Sequence, residues 1–299
     1  MTFVATLISA PAASALDEAS IASARDVLPA AGAPEWLDPG IAVDIPFEVS
    51  RAIDIRMLGD GVRAALAPRP IDVVVQPAAG RRKKLFLADM DSTMIGQECI
   101  DELADNVGLK AHIAAITERA MRGEIAFVPA LIERVALLKG LPATVVDDVI
   151  GKRITLTPGA QTLVATMRAN GAHTCLVSGG FTLFTRKIAA MIGFDEDRAN
   201  TLIVGADGRL EGRVAEPILG SEAKLATLLE LRARLGLTKQ ETLAVGDGAN
   251  DLAMIDNAGL GVAYHAKPKV AAAAAARVDH GDLTALLYMQ GYRRALFSV

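Results

Sequence analysis

From Lys84 onward, short apolar runs alternate with stretches of helical period, and no other feature constrains the fold of this chain as strongly. The runs cover residues 85–88, 174–177, 242–245 and 260–263, and helices are expected over 159–169, 181–192, 222–235 and 251–257. Continuous apolar strands joined by helices call for a parallel sheet covered on both faces. The expected fold class is therefore α/β, with a Rossmann-like parallel sheet at its core. Residues 201–214 interrupt the pattern as a polar hairpin turning at Ala206-Asp207-Gly208.

Two segments stand outside that alternation. A helical insertion over about 98–152 reads as helices at 98–107, 110–121, 128–139 and 144–152, separated by Gly108, Gly123 and Gly140-Leu141-Pro142. Residues 1–80 read as a small α+β domain, with strands at 2–9, 40–49 and 71–75, a helix at 16–31 and no clear assignment for 51–66. The expected organisation is a 1–80 domain followed by an 84–299 domain, with the insertion as its helical cap. Arg81-Arg82-Lys83-Lys84 reads as a solvated linker between them, and the alanines of 271–276 as helix.

Composition narrows the partners. With 52% hydrophobic residues over 299 positions the chain can bury a sizeable core, and a net charge of −4 disfavours nucleic acid and anionic membranes. Cys99 and Cys175 have neither metal spacing nor a disulfide framework, which points to a reducing compartment. The apolar N-terminus has no basic residue before Arg25, so it does not read as a signal peptide. A cytoplasmic protein with no nucleic-acid or membrane partner is expected.

Chemistry-bearing residues gather where the strands end. Asp89-Met90-Asp91-Ser92-Thr93 follows the first strand, and two carboxylates there can hold a hard cation while one attacks an electrophile. Cys175-Leu176-Val177-Ser178-Gly179-Gly180-Phe181 ends another strand in a turn that aims amides and a hydroxyl at an anion. Lys224 lies in the first turn of a helix, against the dipole preference, as a phosphate-pairing residue would. Gly246-Asp247-Gly248-Ala249-Asn250-Asp251 supplies further acids, Asp247 for a Mg²⁺ shell and Asp251 to orient it. Each stretch alone also fits an ordinary turn or a solvated charge. In an open α/β sheet, however, all of them meet at the carboxyl ends of the strands.

These motifs resemble the haloacid dehalogenase-like phosphatases, over about residues 84–290. Glu98, the run Glu133-Arg134-Val135-Ala136-Leu137-Leu138-Lys139-Gly140 and the Val177–Phe181 stretch make the likeness closest to members that cleave O-phosphoserine. The resemblance implies a Mg²⁺-dependent phosphatase releasing serine and phosphate through an aspartyl-phosphate, in serine biosynthesis. It implies Asp89 as nucleophile and Asp91 as general acid, then base. Mg²⁺ would be held by Asp89, the Asp91 backbone carbonyl and Asp247. Ser178, Gly179 and Lys224 would take the phosphoryl oxygens, with Asn250 nearby. Glu98 would pair with the substrate α-ammonium and Arg134 with its carboxylate, although a helix N-terminus and a solvated surface charge are the plain alternatives. Met121 and Phe127 are candidates for an apolar lid. Residues 1–80 resemble ACT-like modules only in element order, which leaves amino-acid sensing, packing or homodimerisation open.

Other residues read as structural. His112, His173, His265 and His280 form no cluster, Cys99 reads as a packed thiol, and Gly259-Leu260-Gly261 lacks the third glycine of a dinucleotide loop.

Overall fold

The computed structural model describes residues 2–49, 54–106, 108–121 and 124–298, without the side chains of Asn106, Glu118, Ala120 and Met121. The expectations for residues 51–53, Val107, Gly123 and the Met121 side chain lie outside the described residues. The chain begins with β1 (Thr2–Ser9), α1 (Glu18–Val27), β2 (Glu35–Asp38), β3 (Ala42–Glu48), α2 (Ile55–Leu66) and β4 (Ile71–Pro77). These strands form an antiparallel sheet of order β2-β3-β1-β4, the ferredoxin-like arrangement of a βαββαβ unit.

Next come β5 (Leu85–Ala88) and four helices, α3 (Cys99–Asn106), α4 (Lys110–Met121), α5 (Phe127–Ala136) and α6 (Val145–Arg153). Beyond them lie α7 (Ala160–Ala169), β6 (His173–Phe181), α8 (Thr182–Ile192) and β7 (Glu196–Asn200). The hairpin of β8 (Leu202–Val204) and β9 (Leu210–Val214) leads to α9 (Ser221–Arg234), β10 (Thr242–Gly246) and α10 (Leu252–Asn257). The chain closes with β11 (Leu260–Tyr264), α11 (Pro268–Ala273), β12 (Ala276–Val278) and α12 (Ala285–Met289).

The parallel sheet runs β12-β11-β10-β5-β6-β7. From β5 the chain builds outward through β6 and β7, and it later returns to β5's other side through β10, β11 and β12. The switch point therefore lies between β5 and β10, and the crevice beyond their carboxyl ends is where such sheets bind ligands. Leu85, Phe86, Leu87 and Ala88 are all fully buried, as a strand covered on both faces requires. Leu243, Ala244 and Val245 repeat this beside them.

The antiparallel sheet is also buried on both sides. Ala5, Leu7, Val43, Ile45 and Val73 pack beneath α1 and α2, while Ile8, Ala42 and Val74 join the core shared with the parallel sheet. Polar contacts reinforce that seam. Asp72, 2% exposed, accepts from the amides of Asp279 (2.7 Å), His280 (3.2 Å) and Gly281 (2.8 Å). Asp72→Ala would leave those amides without their partner, so a loss of about 3 kcal/mol in urea unfolding is expected. Wild-type stability in that variant would remove Asp72 from the seam's energetics.

The basic run from Arg81 is solvated only in part: Arg82 and Lys84 are exposed, whereas Arg81 and Lys83 are drawn into the seam. Arg81 grips both Asp44 oxygens (2.5 and 3.0 Å) and donates to the carbonyls of Tyr288 and Met289 (3.1 Å each). Lys83, 7% exposed, donates to the Gly80 and Gln240 carbonyls, and Arg82 stacks on the Tyr292 ring. Arg81 and Lys83 satisfy carbonyls and a buried carboxylate that both halves of the chain bring to one seam. The alanine stretch is likewise only partly helical: α11 stops at Ala273, and Ala276 enters edge strand β12. Among the described residues, no helix is long and apolar enough to cross a membrane.

Candidate active site

β5 ends at Ala88 because the chain then enters one wide helical turn, Met90–Met94, in which Ser92 takes a left-handed φ of 55°. Asp89 caps that turn, its Oδ1 accepting from the Met90 amide (2.7 Å). Asp91 is carried to the other side of the turn. Its Oδ1 accepts from the Cys99 amide (3.0 Å) at the start of α3, where a carboxylate suits the helix dipole. The two acids thus leave the strand with different neighbours.

β10 delivers the next group. Asp247 follows it and accepts from the Thr93 hydroxyl (3.1 Å), while Asp251 folds back beneath the strand end and accepts from the Gly248 amide (3.0 Å). A Cβ on Gly246 would stand 2.3 Å from Asp251 Cγ, so only glycine lets this fully buried carboxylate in. Oxygens of Asp89, Asp247 and Asp251 lie within 4.8 Å of one another. Lys224, 2% exposed on α9, donates to Asp89 (2.7 Å) and Asp251 (2.6 Å). The Asp91 carboxyl is not part of this cluster.

One ammonium against three clustered carboxylates leaves a local excess of negative charge. Burial pushes the Asp89 carboxyl well above its ordinary range, Asp251 adds repulsion, and Lys224 opposes both. Burial and Asp251 raise Asp247 to about 6. Burial, then Glu98, raise Asp91 to about 7 against the pull of the Cys99 amide. Lys224 loses by desolvation and gains more from its two carboxylates, so it is held firmly protonated. An all-oxygen acidic donor set short of positive charge fits a hard divalent cation such as Mg²⁺.

The end of β6 closes a third side. Ser178, 3% exposed, accepts from the Gly180 amide (2.8 Å), and a Cβ on Gly180 would approach Ser178 Oγ at 3.0 Å and Asp91 Oδ2 at 3.2 Å. Asn200, at the end of β7, ties this turn to the segment before α9. Its amide donates to the Gly179 and Leu219 carbonyls (2.9 and 3.0 Å) and its oxygen accepts from the Leu219 amide (2.7 Å). The Phe127 ring packs on Gly179 and Gly220, where added Cβ atoms would each meet it at 3.5 Å.

The remaining candidates sit further out. Asn250 is half-buried, its side-chain oxygen close against the Gly248 backbone. Glu98 is exposed and accepts from the Ser92 hydroxyl (2.7 Å). Arg134, half-buried on α5, donates to the Ala130 carbonyl (3.2 Å) and the Thr117 hydroxyl (3.3 Å). Burial lowers its pKa while Asp101 and Glu98 oppose that shift, which puts the three charges in one electrostatic neighbourhood. Asp101 has a buried carboxyl oxygen with no hydrogen-bond partner among the described residues. The sequence offers no signal for Asn200 and Asp101, since neither lies in a motif, and Thr93 stands in the first motif without a role of its own.

A parallel sheet with a charged crevice at its switch point defines an α/β enzyme acting on an anionic group. Residues 86–256 match the haloacid dehalogenase-like hydrolase family. A phosphoserine phosphatase of Polaromonas sp. is 47% identical over 209 residues, spanning 68% of this chain and 88% of that protein. The crystal structure of a probable phosphoserine phosphatase from Vibrio cholerae superposes with a TM-score of 0.79 at 30% identity, over 99% of this chain and 88% of that one. A phosphoserine phosphatase solved as a phospho-aspartyl intermediate analogue aligns at 40% identity and a TM-score of 0.64, over 69% of this chain and 98% of that one. The chain belongs to the haloacid dehalogenase-like hydrolases and, within them, to the phosphoserine phosphatase family.

Proposed function

We propose that the chain hydrolyses O-phosphoserine to serine and phosphate, as a Mg²⁺-dependent enzyme of serine biosynthesis working through an aspartyl-phosphate on Asp89. The observation that carries this reading is the pairing of Lys224 with Asp89 at the mouth of β5 (2.7 Å), beside the Ser178–Gly180 turn. An Asp89 oxygen attacks phosphorus in line, and the serine oxygen leaves with a proton from Asp91. Held near 7, Asp91 is partly protonated at neutral pH, as a group that is first acid and then base should be. In the second step Asp91 takes a proton from water, which attacks the acyl phosphate and frees Asp89. Ser178, the Gly179 amide and Lys224 receive the phosphoryl oxygens, with Asn250 beside them.

Mg²⁺ held by Asp89, Asp247 and the Asp91 carbonyl would neutralise charge on the phosphoryl group. Its effect on stability follows from the raised carboxyls. A carboxyl with a folded pKa above its unfolded value penalises the native state, increasingly as pH rises from about 4 to the folded pKa. For Asp247 the penalty is therefore about half developed at pH 5 and nearly complete above about 6. Mg²⁺ should raise the melting temperature strongly at pH 7.5 and much less at pH 5, where protons compete for the same oxygens. Equal shifts at both pH values would argue against this carboxylate site.

For the substrate's amino-acid end, Glu98 takes the α-ammonium and Arg134 the α-carboxylate. Arg134→Ala should raise KM for phosphoserine about tenfold to a hundredfold, the cost of one charge-assisted contact, and change p-nitrophenyl phosphate hydrolysis little. The same reading makes 98–152 a cap over an 84–299 catalytic unit, with Phe127 as part of its lid, and 1–80 an ACT-like unit able to support a homodimer.

Phosphate release from a panel of phosphomonoesters, with and without Mg²⁺, tests the whole proposal. Mg²⁺-dependent preference for phosphoserine is the expected result. Activity on all other esters but not phosphoserine would overturn the substrate, and no release from any ester would overturn the activity.

A further inference from the structure

At the opposite end of the parallel strands, the seam between the two sheets borders an open cavity of about 720 Å³ that the proposed chemistry does not use. Lys83, Gln240 and Gly259 on its wall stand just before β5, β10 and β11, whereas Asp89 and Asp247 stand just after β5 and β10. The length of the strands, roughly 13 Å or more, therefore separates it from the acidic crevice. Its volume is in the range of small-molecule sites.

The lining has a consistent chemistry. Four cationic side chains, Arg56, Arg63, Lys83 and Arg277, face it against the acids Asp54 and Asp60. Both acids have partners: Asp54 caps α2 through the Arg56 and Met57 amides, and Asp60 pairs with Arg63, one of the four cations, one turn along the helix. Arg277 is paired with Asp279 (2.8 Å). Arg56 spends a guanidinium nitrogen on the Ala273 carbonyl (2.8 Å), and Lys83 meets the Gly80 and Gln240 carbonyls (3.0 and 2.7 Å). Neither of these two cations has a carboxylate among those contacts. Burial together with Arg277 lowers the Arg63 pKa, and burial with Arg81 lowers that of Lys83, so added negative charge would relieve both. Between the cations runs an apolar strip that includes Val73, Val75 and Leu260.

We propose that this cavity is a binding site for a small organic dicarboxylate, its carboxylates held by the arginines and Lys83 and its carbon chain lying on the apolar strip. Planar guanidinium groups match carboxylates bidentately. An apolar strip between them selects a carbon-linked dianion over a compact inorganic one. Because β4 and α2 come from one sheet's unit and β12 from the other, the bound dianion also clamps the seam and raises stability by mass action. This site is independent of the proposed catalytic reading.

Calorimetric titration of the full-length chain with succinate tests it, with inorganic sulfate as the compact control. Expected are one-site binding of succinate, weaker binding of sulfate, and a loss of at least about tenfold in succinate affinity on Arg277→Gln or Arg56→Gln. Arg56→Gln gives up a carbonyl contact and, among the described residues, no ion pair, whereas Arg277→Gln also gives up the pair with Asp279, so Arg56→Gln is the cleaner variant. Arg134→Ala, at the other end of the strands, should bind succinate like the wild type. The proposal falls if succinate gives no binding heat at millimolar concentration, or if sulfate binds equally well. It also falls if both arginine variants bind unchanged, or if Arg134→Ala is the variant that loses binding.

Discussion

Asp89→Asn should lower phosphoserine turnover by about 10⁴-fold or more, because the amide cannot form the acyl phosphate on which both steps depend. The same substitution should leave the metal-free protein at least as stable as the wild type at neutral pH. Asp89 is buried beside Asp251 and its carboxyl is pushed well above the ordinary range, so its ionised form is a net burden on the apo fold. The sign follows from linkage: a raised carboxyl costs stability above its unfolded pKa, and an amide of the same shape carries no such cost. Phosphate release and thermal melting in EDTA read the two effects separately. An inactive but destabilised variant would point to Asp89 as a structural ion-pair member, and an active one would remove it from the chemistry.

Lys224→Met should be the most damaging single change to the fold at this site. The ammonium is 2% exposed and holds both Asp89 and Asp251, so its removal strands two buried carboxylates that can escape only by taking up protons. Breaking a buried pair in this way costs about 3–5 kcal/mol. The loss should be greatest at neutral pH and shrink as pH falls, since protonation supplies what the ammonium no longer does. Placed on Asp89→Asn, the same substitution should cost clearly less, because one of the stranded carboxylates is gone. Additive urea-unfolding free energies in that cycle would contradict the coupling between Lys224 and Asp89.

What could be read from sequence followed the burial of each element. β5 and β10 announced themselves because strands covered on both faces must be apolar throughout, and their polar ends then stood out. Edge strands gave no such mark: β7, with Glu196, Asp197 and Arg198, is polar because one side of it is not paired, and it was not anticipated. With it went Asn200, whose value lies wholly in two distant carbonyls and an amide that folding brings to its side chain. The run from Arg81 to Lys84 was misread for a related reason. Four adjacent cations look solvated, and Arg82 and Lys84 are, but the Asp44 carboxylate and the carbonyls of Tyr288 and Met289 converge on Arg81 from more than thirty positions away. Arg134 beside Glu133 carried the same ambiguity, and in the structure it is half-buried toward Thr117.

The central claim is that phosphoryl transfer passes through the Asp89 carboxylate. Borohydride reduction of a reaction quenched during turnover of phosphoserine, followed by peptide mass spectrometry, tests it most directly. The account predicts reductive conversion of Asp89 alone, dependent on substrate and absent in Asp89→Asn. Conversion at Asp91, or a phosphorylated Ser178 in place of any change at Asp89, would contradict it.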